Sequence, residues 1–548
     1  MTEEGYFIGV DVGSGSARAA LVDHKGRIVK SAVKEINTWK PMVDYYEQSS
    51  NNIWESCIYV IKQVVTNINP ILVKGIGFDA TCSLVALDKN GNPMTVSNTH
   101  AVEQNIIMWM DHRAHVEADF INKTGHDILK YVGGKVSLEM EMPKLLWLKR
   151  NLANTWPQFG YFFDLPDFLT WKATGSYSRS LCSLVCKWNY ECSIDGYRGW
   201  NESFLKEIGL EDLSENNFEK IGNNVQMPGD FCGGLSEDVA SILGLRPNTP
   251  VATSIIDAHA GGLGMIGSSA KDIDENMSSR FGLICGTSTC HMAVNEKAIM
   301  VEGIWGPYFS AMVPKMWLNE AGQSASGMLL DHIIAGHPAG IELLKTKNTG
   351  EVRNHLRNLL SSMAKEHSLS DVTFLTKDVH VWPDFHGNRS PIADPTMRGM
   401  ITGMSIDRSE KNLAVLYLAT LQALSYGTRH IIDALILAGY KPFKSLLICG
   451  GITKDPLFVQ TQADAVDLPI LKPREKDSVL VGSAILGACA SQYFNTVEEA
   501  IQKMGGSADI VGPDIKTKTF HDKKYRVFLR MFQDQLKYRT IMNSHDML

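Results

Sequence analysis

The feature that most constrains the fold is a small-residue loop that occurs twice, each time between strand-like runs. Tyr6–Val12 is rich in β-branched and aromatic residues and ends at Gly13-Ser14-Gly15-Ser16. About 270 residues later, Arg280–Cys285 is a similar run that ends at Gly286-Thr287-Ser288-Thr289. Apolar runs follow both loops, as in a β-hairpin. Two similar units at this distance predict two related domains, each opening with such a loop.

The rest of the chain alternates strand and helix signals. After the first loop, strands are predicted at Ala17–Val22 and Arg27–Val33, and after the second at Cys290–Val294 and Ala298–Val301. Other predicted strands are Ile76–Phe78, Leu84–Leu87, Pro250–Ile256 and Ser445–Cys449, and predicted helices are Pro143–Asn151, Asn412–Ala438, Val479–Ala490 and Lys523–Met542. This alternation indicates an α/β fold. The stretch Gly267–Ser279 is rich in Ser, Gly and charged residues and predicts a domain boundary. The N-terminal domain would then comprise residues 1–270 and the C-terminal domain residues 280–548.

Composition excludes several classes of protein. The 548 residues carry 53 Lys+Arg against 60 Asp+Glu, so the basic footprint of a nucleic-acid-binding protein is missing. The N-terminus is acidic where a signal peptide is basic. No window holds the roughly 20 apolar residues that a membrane span requires. The sequence therefore predicts a cytoplasmic protein that binds neither nucleic acid nor membrane.

Ten cysteines are scattered along the chain, several of them inside apolar runs. Cys182 and Cys186 form one close pair and Cys285 and Cys290 another, but neither has a partner pair at the spacing of a zinc site. His259 and His386 also lack metal-ligand spacing, so we expect no metal there. The thiols are predicted to be reduced and to serve packing, as is usual in a cytosolic protein.

The first loop lies between an acid, Asp11, and a base, Arg18. Small residues such as Gly13 and Ser14 let successive backbone N–H groups approach an anion, and an acid at the strand end can hold Mg²⁺. A tight strand connection is the alternative. The second loop favours the phosphate interpretation, because it could hold the other side of a polyphosphate. The sequence has no Walker A string, and Arg18 stands where the Rossmann fingerprint needs its third glycine.

Other candidates each have a structural alternative. Asp257 follows a buried-type strand and precedes small residues, which suits a general base or a helix N-cap. Gly450-Gly451 ends a strand, where the backbone could pass close to adenine or form a plain loop. Asp111 could read a sugar hydroxyl or form a structural ion pair. Lys187 lies in an apolar stretch, where a buried lysine needs a ligand or an acid as partner, and Glu320 is in a similar context.

Taken together, these strings resemble the FGGY carbohydrate kinase family, which has two ribonuclease H-like (actin-like ATPase) domains with the active site in the cleft between them. The resemblance extends from about Tyr6 to Ala490 and is carried by Gly9–Arg18, Trp109–Arg113, Pro143–Leu148, Ile256–Gly261, Cys285–Ser288, Gly387–Pro391 and Cys449–Gly451. Within the family, Gly77–Val85 differs from the Met-His-Gly string of xylulose kinases and is more similar to kinases of ribulose.

The resemblance implies a role for each matching position. Asp257 would be the catalytic base, and Asp11 the acid that orients magnesium. The first phosphate loop would include Gly13, Ser14 and Arg18, the second Gly286, Thr287 and Ser288, and the adenosine loop Gly450, Gly451 and Asp455. The sugar would lie near Thr81, Cys82, Asp111, Lys187, Asp257 and Glu320.

The expected activity is phosphorylation of the terminal (C5) hydroxyl of a free ketopentose, D-ribulose in the first place, by ATP with Mg²⁺. Three alternatives stay open: another acceptor such as L-ribulose, xylulose or a polyol; an actin-like ATPase that acts through a protein partner; and a sugar sensor without turnover. The presence of Asp11 and Asp257 weighs against the last. A homodimer is also open, because similar kinases are commonly dimers.

Overall fold

Two mixed β-sheets, one in each half of the chain, lie on either side of a pair of small-residue helices in the computed structural model. The structure describes residues 5–192 and 198–543. In the first half the elements are β1 (Tyr6–Val12), β2 (Ser16–Asp23), β3 (Ile28–Glu35), β4 (Glu47–Gln48), α1 (Ser50–Val65), β5 (Val73–Ala80), β6 (Leu84–Asp88), β7 (Ile106–Ile107), α2 (His115–Thr124), α3 (Glu141–Asn151), β8 (Phe159–Asp164), α4 (Leu165–Thr174), β9 (Arg179–Ser180), α5 (Leu181–Lys187), β10 (Glu191–Cys192), β11 (Arg198–Gly199), α6 (Glu202–Ile208), α7 (Glu215–Phe218), β12 (Val225–Gln226), β13 (Phe231–Gly234), α8 (Glu237–Leu243), β14 (Pro250–Ala252), β15 (Ile255–Ile256) and α9 (Asp257–Ile266).

The second half continues the same alternation. Its elements are β16 (Arg280–Cys285), β17 (Thr289–Asn295), β18 (Trp305–Phe309), β19 (Trp317–Gln323), α10 (Gly327–Gly336), α11 (Pro338–Leu344), α12 (Thr349–Glu366), β20 (His380–Trp382), β21 (Met400–Thr402), α13 (Glu410–Leu437), β22 (Ser445–Cys449), α14 (Pro456–Val466), β23 (Ile470–Pro473), α15 (Ser478–Ala490), α16 (Val497–Met504), β24 (Ala508–Val511) and α17 (Lys518–Asn543).

The two large sheets have the same order and the same strand directions. The first is β3-β2-β1-β5-β14-β13, and the second is β19-β17-β16-β22-β23-β24 with β18 added at its edge. In both, the first two pairings are antiparallel, the next two are parallel and the last is antiparallel. The structure therefore contains the two related α/β units that the repeated loop predicts.

Most predicted elements match, and the third strand of the second unit does not. Ala298–Val301 is outside any strand, and β19 occupies the place beside β17 instead. Val301 is buried, so its apolar character reflects packing rather than strand pairing. The predicted strand Pro250–Ile256 is also interrupted and forms β14 and β15.

Helices α9 and α15 pack against each other between the sheets, and α15, from the second half, lies on β1 and β5 of the first. Glycines permit this contact. A Cβ on Gly482 would lie 1.9 Å from the carbonyl oxygen of Ala260, and one on Gly77 would lie 1.9 Å from that of Ser483. Such distances leave no room for any side chain. The close approach places the start of α9, and Ser483 of α15, at the ends of the first sheet's strands.

A smaller sheet, β4-β7-β6-β8, is joined to helices α2–α6 in the first half and forms one wall beside the strand ends. Among the described residues, no helix is both long enough and apolar enough to cross a membrane.

Candidate active site

Three acidic side chains meet where β1, β5 and β15 end. β1 and β5 are parallel and in register, with Asp11 directly opposite Asp79. Ile256, the last residue of β15, is opposite Ala80 of β5, so Asp257 begins α9 at the same edge. The carboxyl ends of parallel strands are where α/β folds bind ligands. Asp257 is the first residue of α9 and not its N-cap, so the capping alternative does not account for it.

Burial and the nearby negative charge make two of these carboxylates, Asp79 and Asp257, harder to ionise. Burial, followed by the charge of Asp11, raises the pKa of Asp257 to about 7. The same two causes, in the same order, raise the pKa of Asp79. The Ser483 hydroxyl donates a hydrogen bond to Asp79 Oδ2, whereas Oδ1 of Asp79 has no hydrogen-bond partner among the described residues. Clustered carboxylates with a buried, unpartnered oxygen fit a hard divalent cation, which Asp11 and Asp79 would hold.

Arg18 connects this edge to the second half. It lies opposite Asp11 in the β1–β2 hairpin, and its Nε donates a 2.6 Å hydrogen bond to Asp11 Oδ2. Its Nη1 also donates to the two carboxylate oxygens of Asp477, at 2.9 and 3.1 Å. Asp477 is the residue that precedes α15. The arginine is thus held by acids from both halves, and its predicted contact with phosphate stays a prediction.

The two small-residue loops lie at equivalent positions of the two sheets. In each, the first glycine donates its N–H to a backbone carbonyl of the loop, at 3.0 Å for Gly13 and 2.8 Å for Gly286. The Ser14 hydroxyl accepts a 2.9 Å hydrogen bond from the Trp109 indole, which fixes the first loop. In the second loop, residues 286–288, Gly286 and Thr287 are exposed. Both loops therefore lie at strand ends, each closed by an internal hydrogen bond from its first glycine.

Gly450 and Gly451 lie beside the second loop. Gly450 has a φ of 101°, and a Cβ there would lie 2.2 Å from the carbonyl oxygen of Cys285, so this position requires glycine. Both glycines are exposed. Asp455 is the N-cap of α14 and also accepts a 2.7 Å hydrogen bond from the Tyr417 hydroxyl. These contacts give Asp455 a structural role, and its contact with a nucleotide stays a prediction.

A largely buried chain of ion pairs lies among the residues of the predicted sugar site. Lys187 Nζ lies 3.6 Å from Glu139 Oε2, and Arg389, from the second half, donates a 2.7 Å hydrogen bond to Glu139 Oε1. The ammonium of Lys187 also lies 4.5 Å from the centre of the Trp305 ring. Burial lowers the pKa of the Lys187 ammonium, but the nearby Cys82, Glu320 and Glu139 raise it by more, so the net shift is upward. The acid that a buried lysine requires is therefore Glu139.

Glu320 and His259 face each other across the cleft. Within residues 5–192 and 198–543, Glu320 Oε2 has no hydrogen-bond partner, and it lies 3.6 Å from His259 Nε2. Burial lowers the pKa of His259 to about 4, so the imidazole is neutral at physiological pH. Thr81 donates its backbone N–H to the Val12 carbonyl at 2.9 Å, which joins the ends of β5 and β1. Burial raises the pKa of the adjacent Cys82 thiol, which is therefore neutral.

Asp111 forms an ion pair, which is the structural alternative to a sugar contact that the sequence allowed. Both of its oxygens accept hydrogen bonds from the Arg113 guanidinium, at 2.7–3.0 Å, and Oδ2 also accepts the backbone N–H of Tyr46 at 2.7 Å. Arg113 in turn binds Glu47 at 2.9 Å. The structural alternative is therefore present at Asp111, and a sugar contact there stays a prediction.

Comparison with known proteins defines the class. Residues 6–264 match the N-terminal domain, and residues 282–491 the C-terminal domain, of the FGGY family of carbohydrate kinases. The chain belongs to this family, and it is a sugar kinase, a phosphotransferase with two α/β domains and a cleft between them. The family and fold predicted from the sequence are confirmed. The exact domain boundary stays a prediction.

Individual relatives refine this picture. The chain is 52% identical to the FGGY carbohydrate kinase domain-containing protein of Xenopus laevis, over 98% of both chains. It is 37% identical to a D-ribulokinase of Saccharomyces cerevisiae, over 100% of this chain and 79% of the yeast protein. In fold, it is similar to a crystal structure described as a xyloylose kinase of Brucella ovis, with a TM-score of 0.80 and 18% identity over 97% of this chain and 100% of that one.

Three residues of the site were not predicted from the sequence: Asp79, Glu139 and Arg389. A signal existed for Asp79, because it ends a buried strand, as Asp11 does, but only the register of β1 and β5 places the two side by side. Arg389 lies in a string that carries the family resemblance. Glu139 has no local signal, since its two cationic partners are distant in the sequence and Arg389 is 250 residues away.

Proposed function

We propose that the protein transfers the terminal phosphoryl group of ATP to the C5 hydroxyl of a free ketopentose, and that this sugar is D-ribulose. The full-length similarity to the yeast D-ribulokinase supports the choice of sugar. A ribulokinase of Staphylococcus aureus is 28% identical over 91% of this chain. The higher identity to the yeast protein favours D-ribulose over L-ribulose, xylulose or a polyol, which are the alternatives.

The single observation that carries the chemistry is Asp257, an acid with a pKa of about 7 at the carboxyl edge of the first sheet. A general base is most effective when its pKa lies near the working pH. Asp257 Oδ1 accepts the Ala258 N–H at 2.7 Å, which orients the carboxylate and leaves Oδ2 for a substrate hydroxyl. Asp257 would take the C5 hydroxyl proton as the oxygen attacks the phosphorus. Such a base contributes about 10²–10⁴-fold in rate.

The phosphate groups would lie between the two small-residue loops, held by the backbone N–H groups of residues 14 and 287–288. Gly13 and Gly286 donate their own N–H groups within the loops, and their lack of a side chain would let the phosphates approach closely. Asp11 and Asp79 would hold Mg²⁺, which neutralises phosphate charge when it is bound. Arg18 holds Asp11 in place from the neighbouring strand. The backbone at Gly450 and Gly451 would lie against the adenosine of ATP. Positioning and charge neutralisation are the main contributions that phosphoryl transfer needs from a protein.

The sugar would lie between Asp257 and the buried polar groups around Lys187. An ammonium donor at Lys187 and an acceptor at Glu320 suit the hydroxyl and carbonyl oxygens of an open-chain ketose. Thr81 and Cys82 would line the wall formed by the end of β5. Unpartnered buried groups such as Glu320 Oε2 favour a ligand that satisfies them and reject one that does not.

The proposal is tested by ADP release with Mg-ATP across D-ribulose, L-ribulose, D-xylulose, L-xylulose, ribitol, glycerol and no sugar. We expect D-ribulose to have the highest kcat/KM by about tenfold or more, a difference of about 1.4 kcal/mol in transition-state binding. A preference for another sugar would keep the kinase mechanism and replace the substrate. Equal ADP release with and without sugar would contradict the proposed mechanism.

A further inference from the structure

Two cysteines and a histidine meet behind the predicted sugar pocket. Cys182 and Cys186 lie four residues apart on α5 and therefore on the same face of that helix. His259, on α9, comes from 73 residues further along the chain, and its Nε2 lies 3.6 Å from the Cys186 sulfur. The two sulfurs and one His259 ring nitrogen all lie within 4.8 Å of one another. No zinc spacing is visible in the sequence, because the third residue of this cluster is 73 residues from Cys186.

The distances are close to those around a tetrahedral zinc ion. With Zn–S of about 2.3 Å and Zn–N of about 2.0–2.1 Å, a sulfur and a nitrogen ligand lie about 3.6 Å apart. The Cys186–His259 distance of 3.6 Å has this value. Glu320 Oε2 is also 3.6 Å from the same nitrogen, slightly longer than the ideal separation of about 3.3 Å. Glu320 lies outside the group of atoms that are all within 4.8 Å of one another, so its carboxylate would have to rotate toward the two sulfurs to become a fourth ligand.

The cluster also has unsatisfied polar groups. Glu320 Oε2 and His259 Nδ1 are buried and have no hydrogen-bond partner among the described residues. Glu320 is 4% exposed, His259 1%, and both cysteines 0%. Buried polar atoms normally have partners, so the unpartnered Glu320 Oε2 points to a missing ligand. His259 Nδ1 is the ring nitrogen opposite Nε2 and would not bind the metal.

We propose that Cys182, Cys186, His259 and Glu320 form a binding site for a soft divalent cation such as Zn²⁺. Thiolate and imidazole ligands select soft metals, in contrast to the carboxylates at Asp11 and Asp79, which suit Mg²⁺. Binding would release the two thiol protons to solvent. The charges of two thiolates and Glu320 would then be balanced by the divalent cation and the ammonium of Lys187, so the buried site would be neutral.

The cation would act as an inhibitor of the kinase. Three of its ligands come from the first half and Glu320 comes from the second, so the bound metal would join the two sides of the cleft. It would also occupy a Glu320 oxygen that the sugar would otherwise use. Inhibition should therefore be competitive with the sugar. This consequence, unlike metal binding itself, rests on the proposed role of Glu320 in the sugar site.

Binding is tested with cobalt, whose thiolate complexes have charge-transfer absorption. Full-length protein, freed of metal with a chelator and kept reduced without nucleotide, is titrated with Co²⁺. We expect one Co²⁺ per chain, thiolate-to-cobalt absorption, and displacement by one Zn²⁺. Cys186→Ser and Cys182→Ser should each remove the absorption and weaken cobalt binding by about 100-fold or more, since second-shell changes alone cost about 10–100-fold.

Two controls separate this site from others. Cys232→Ser changes a buried thiol on β13, and Asp11→Asn changes the acidic cluster, and both should keep the cobalt spectrum. Thermal unfolding shows whether each serine variant is folded. If a serine variant does not fold, Cys182→Ala is used in its place to remove a thiol ligand. Unchanged cobalt absorption in Cys182→Ser and Cys186→Ser, or none in the unsubstituted protein, would overturn the proposal.

Inhibition is measured separately by ADP release. In the unsubstituted protein, micromolar Zn²⁺ should raise the KM for the sugar without changing that for Mg-ATP, and the Cys182→Ser variant should be at least tenfold less sensitive. If cobalt binds with thiolate absorption but zinc inhibition is not competitive with the sugar, the metal site stands and the placement of Glu320 in the sugar pocket fails. Binding in the absence of any sugar turnover would contradict the proposed function alone.

Discussion

The two sheets share one topology, yet only the first has acids at its central strand ends. Asp11 and Asp79 face each other at the ends of β1 and β5. The equivalent pair at the ends of β16 and β22 is Ile284 and Cys449. The repeated unit therefore supplies two equivalent edges with a small-residue loop, and the side chains at the strand ends decide which edge carries the charge. The edge of the second sheet has no acid at the ends of β16 and β22, so an anion there would meet no negative side chain at these two positions.

The starts of the two central helices differ in a related way. Asp257 begins α9, and Asp477 immediately precedes α15. Asp477 binds Arg18. The Asp257 side chain, in the part of the chain that the structure describes, accepts a hydrogen bond only from a backbone N–H, and burial and Asp11 raise its pKa to about 7. Two acids at corresponding places thus have different surroundings, one ion-paired and one suited to accept a proton. The first suits a structural connection and the second suits catalysis.

Substitution of Asp257 should have the largest effect. Asp257→Asn keeps the shape of the side chain but removes the base, so kcat should fall by about 10²–10⁴-fold while ATP binding is retained. ADP release and nucleotide titration by calorimetry measure the two quantities. Asp477→Asn, the matched change at the other helix, should lower kcat by less than about tenfold. Equal losses in the two variants would remove the distinction between them.

The pH dependence sharpens the same comparison. Since Asp257 must be unprotonated to act as a base, kcat/KM should fall about tenfold per pH unit below its pKa of about 7. The folded pKa is raised above the unfolded value, so the stability that Asp257 contributes is present below the unfolded pKa and is lost as pH rises through about 7. Asp257→Asn should therefore raise Tm more at pH 8 than at pH 5. A Tm difference that is independent of pH would show that the pKa is not raised.

The sequence predicts the repeated unit and the family well, because these depend on local patterns. Gly13 and Gly286 each follow an apolar run and begin a similar string of small residues, so the repeated loop can be recognised from one sequence. It does not predict which groups meet across the fold. Asp79 becomes part of the site through strand register, and Glu139 through an arginine from the other half. Such contacts depend on how the two halves pack.

The same limit explains the residues whose predicted roles have structural competitors. The oxygens of Asp111 accept hydrogen bonds from Arg113. Those of Asp455 accept hydrogen bonds from Tyr417 and from the backbone at the start of α14. The local sequence does not indicate that these partners would occupy the two acids. Ala298–Val301 shows the reverse case, since Val301 at its end is buried although the run pairs with no strand. Burial and pairing leave the same apolar signal in a sequence, and tertiary structure decides between them.

The contact between the central helices can be broken directly. Gly482→Ala would place a Cβ 1.9 Å from the Ala260 carbonyl oxygen, which would push α15 from α9. We expect a loss of about 1–3 kcal/mol in the free energy of unfolding, measured by denaturant titration. Gly336→Ala, at the end of α10, meets no atom within 4 Å and should be nearly neutral. If the two variants were equally stable, the close helix contact would not be present in solution.

The smallest effect should come from the ion pair between Arg18 and Asp477. Their side chains are 33% and 35% exposed, so solvent and salt screen the pair. Asp477→Asn should therefore cost at most about 1 kcal/mol of stability, the upper range for exposed pairs. The difference from the unsubstituted protein should shrink at high salt, whereas the effect of Gly482→Ala, which is steric, should not. A loss of stability that is larger and independent of salt would mean that the Arg18–Asp477 pair is not a weak, solvent-screened ion pair. The contrast drawn between Asp477 and Asp257 would then fail.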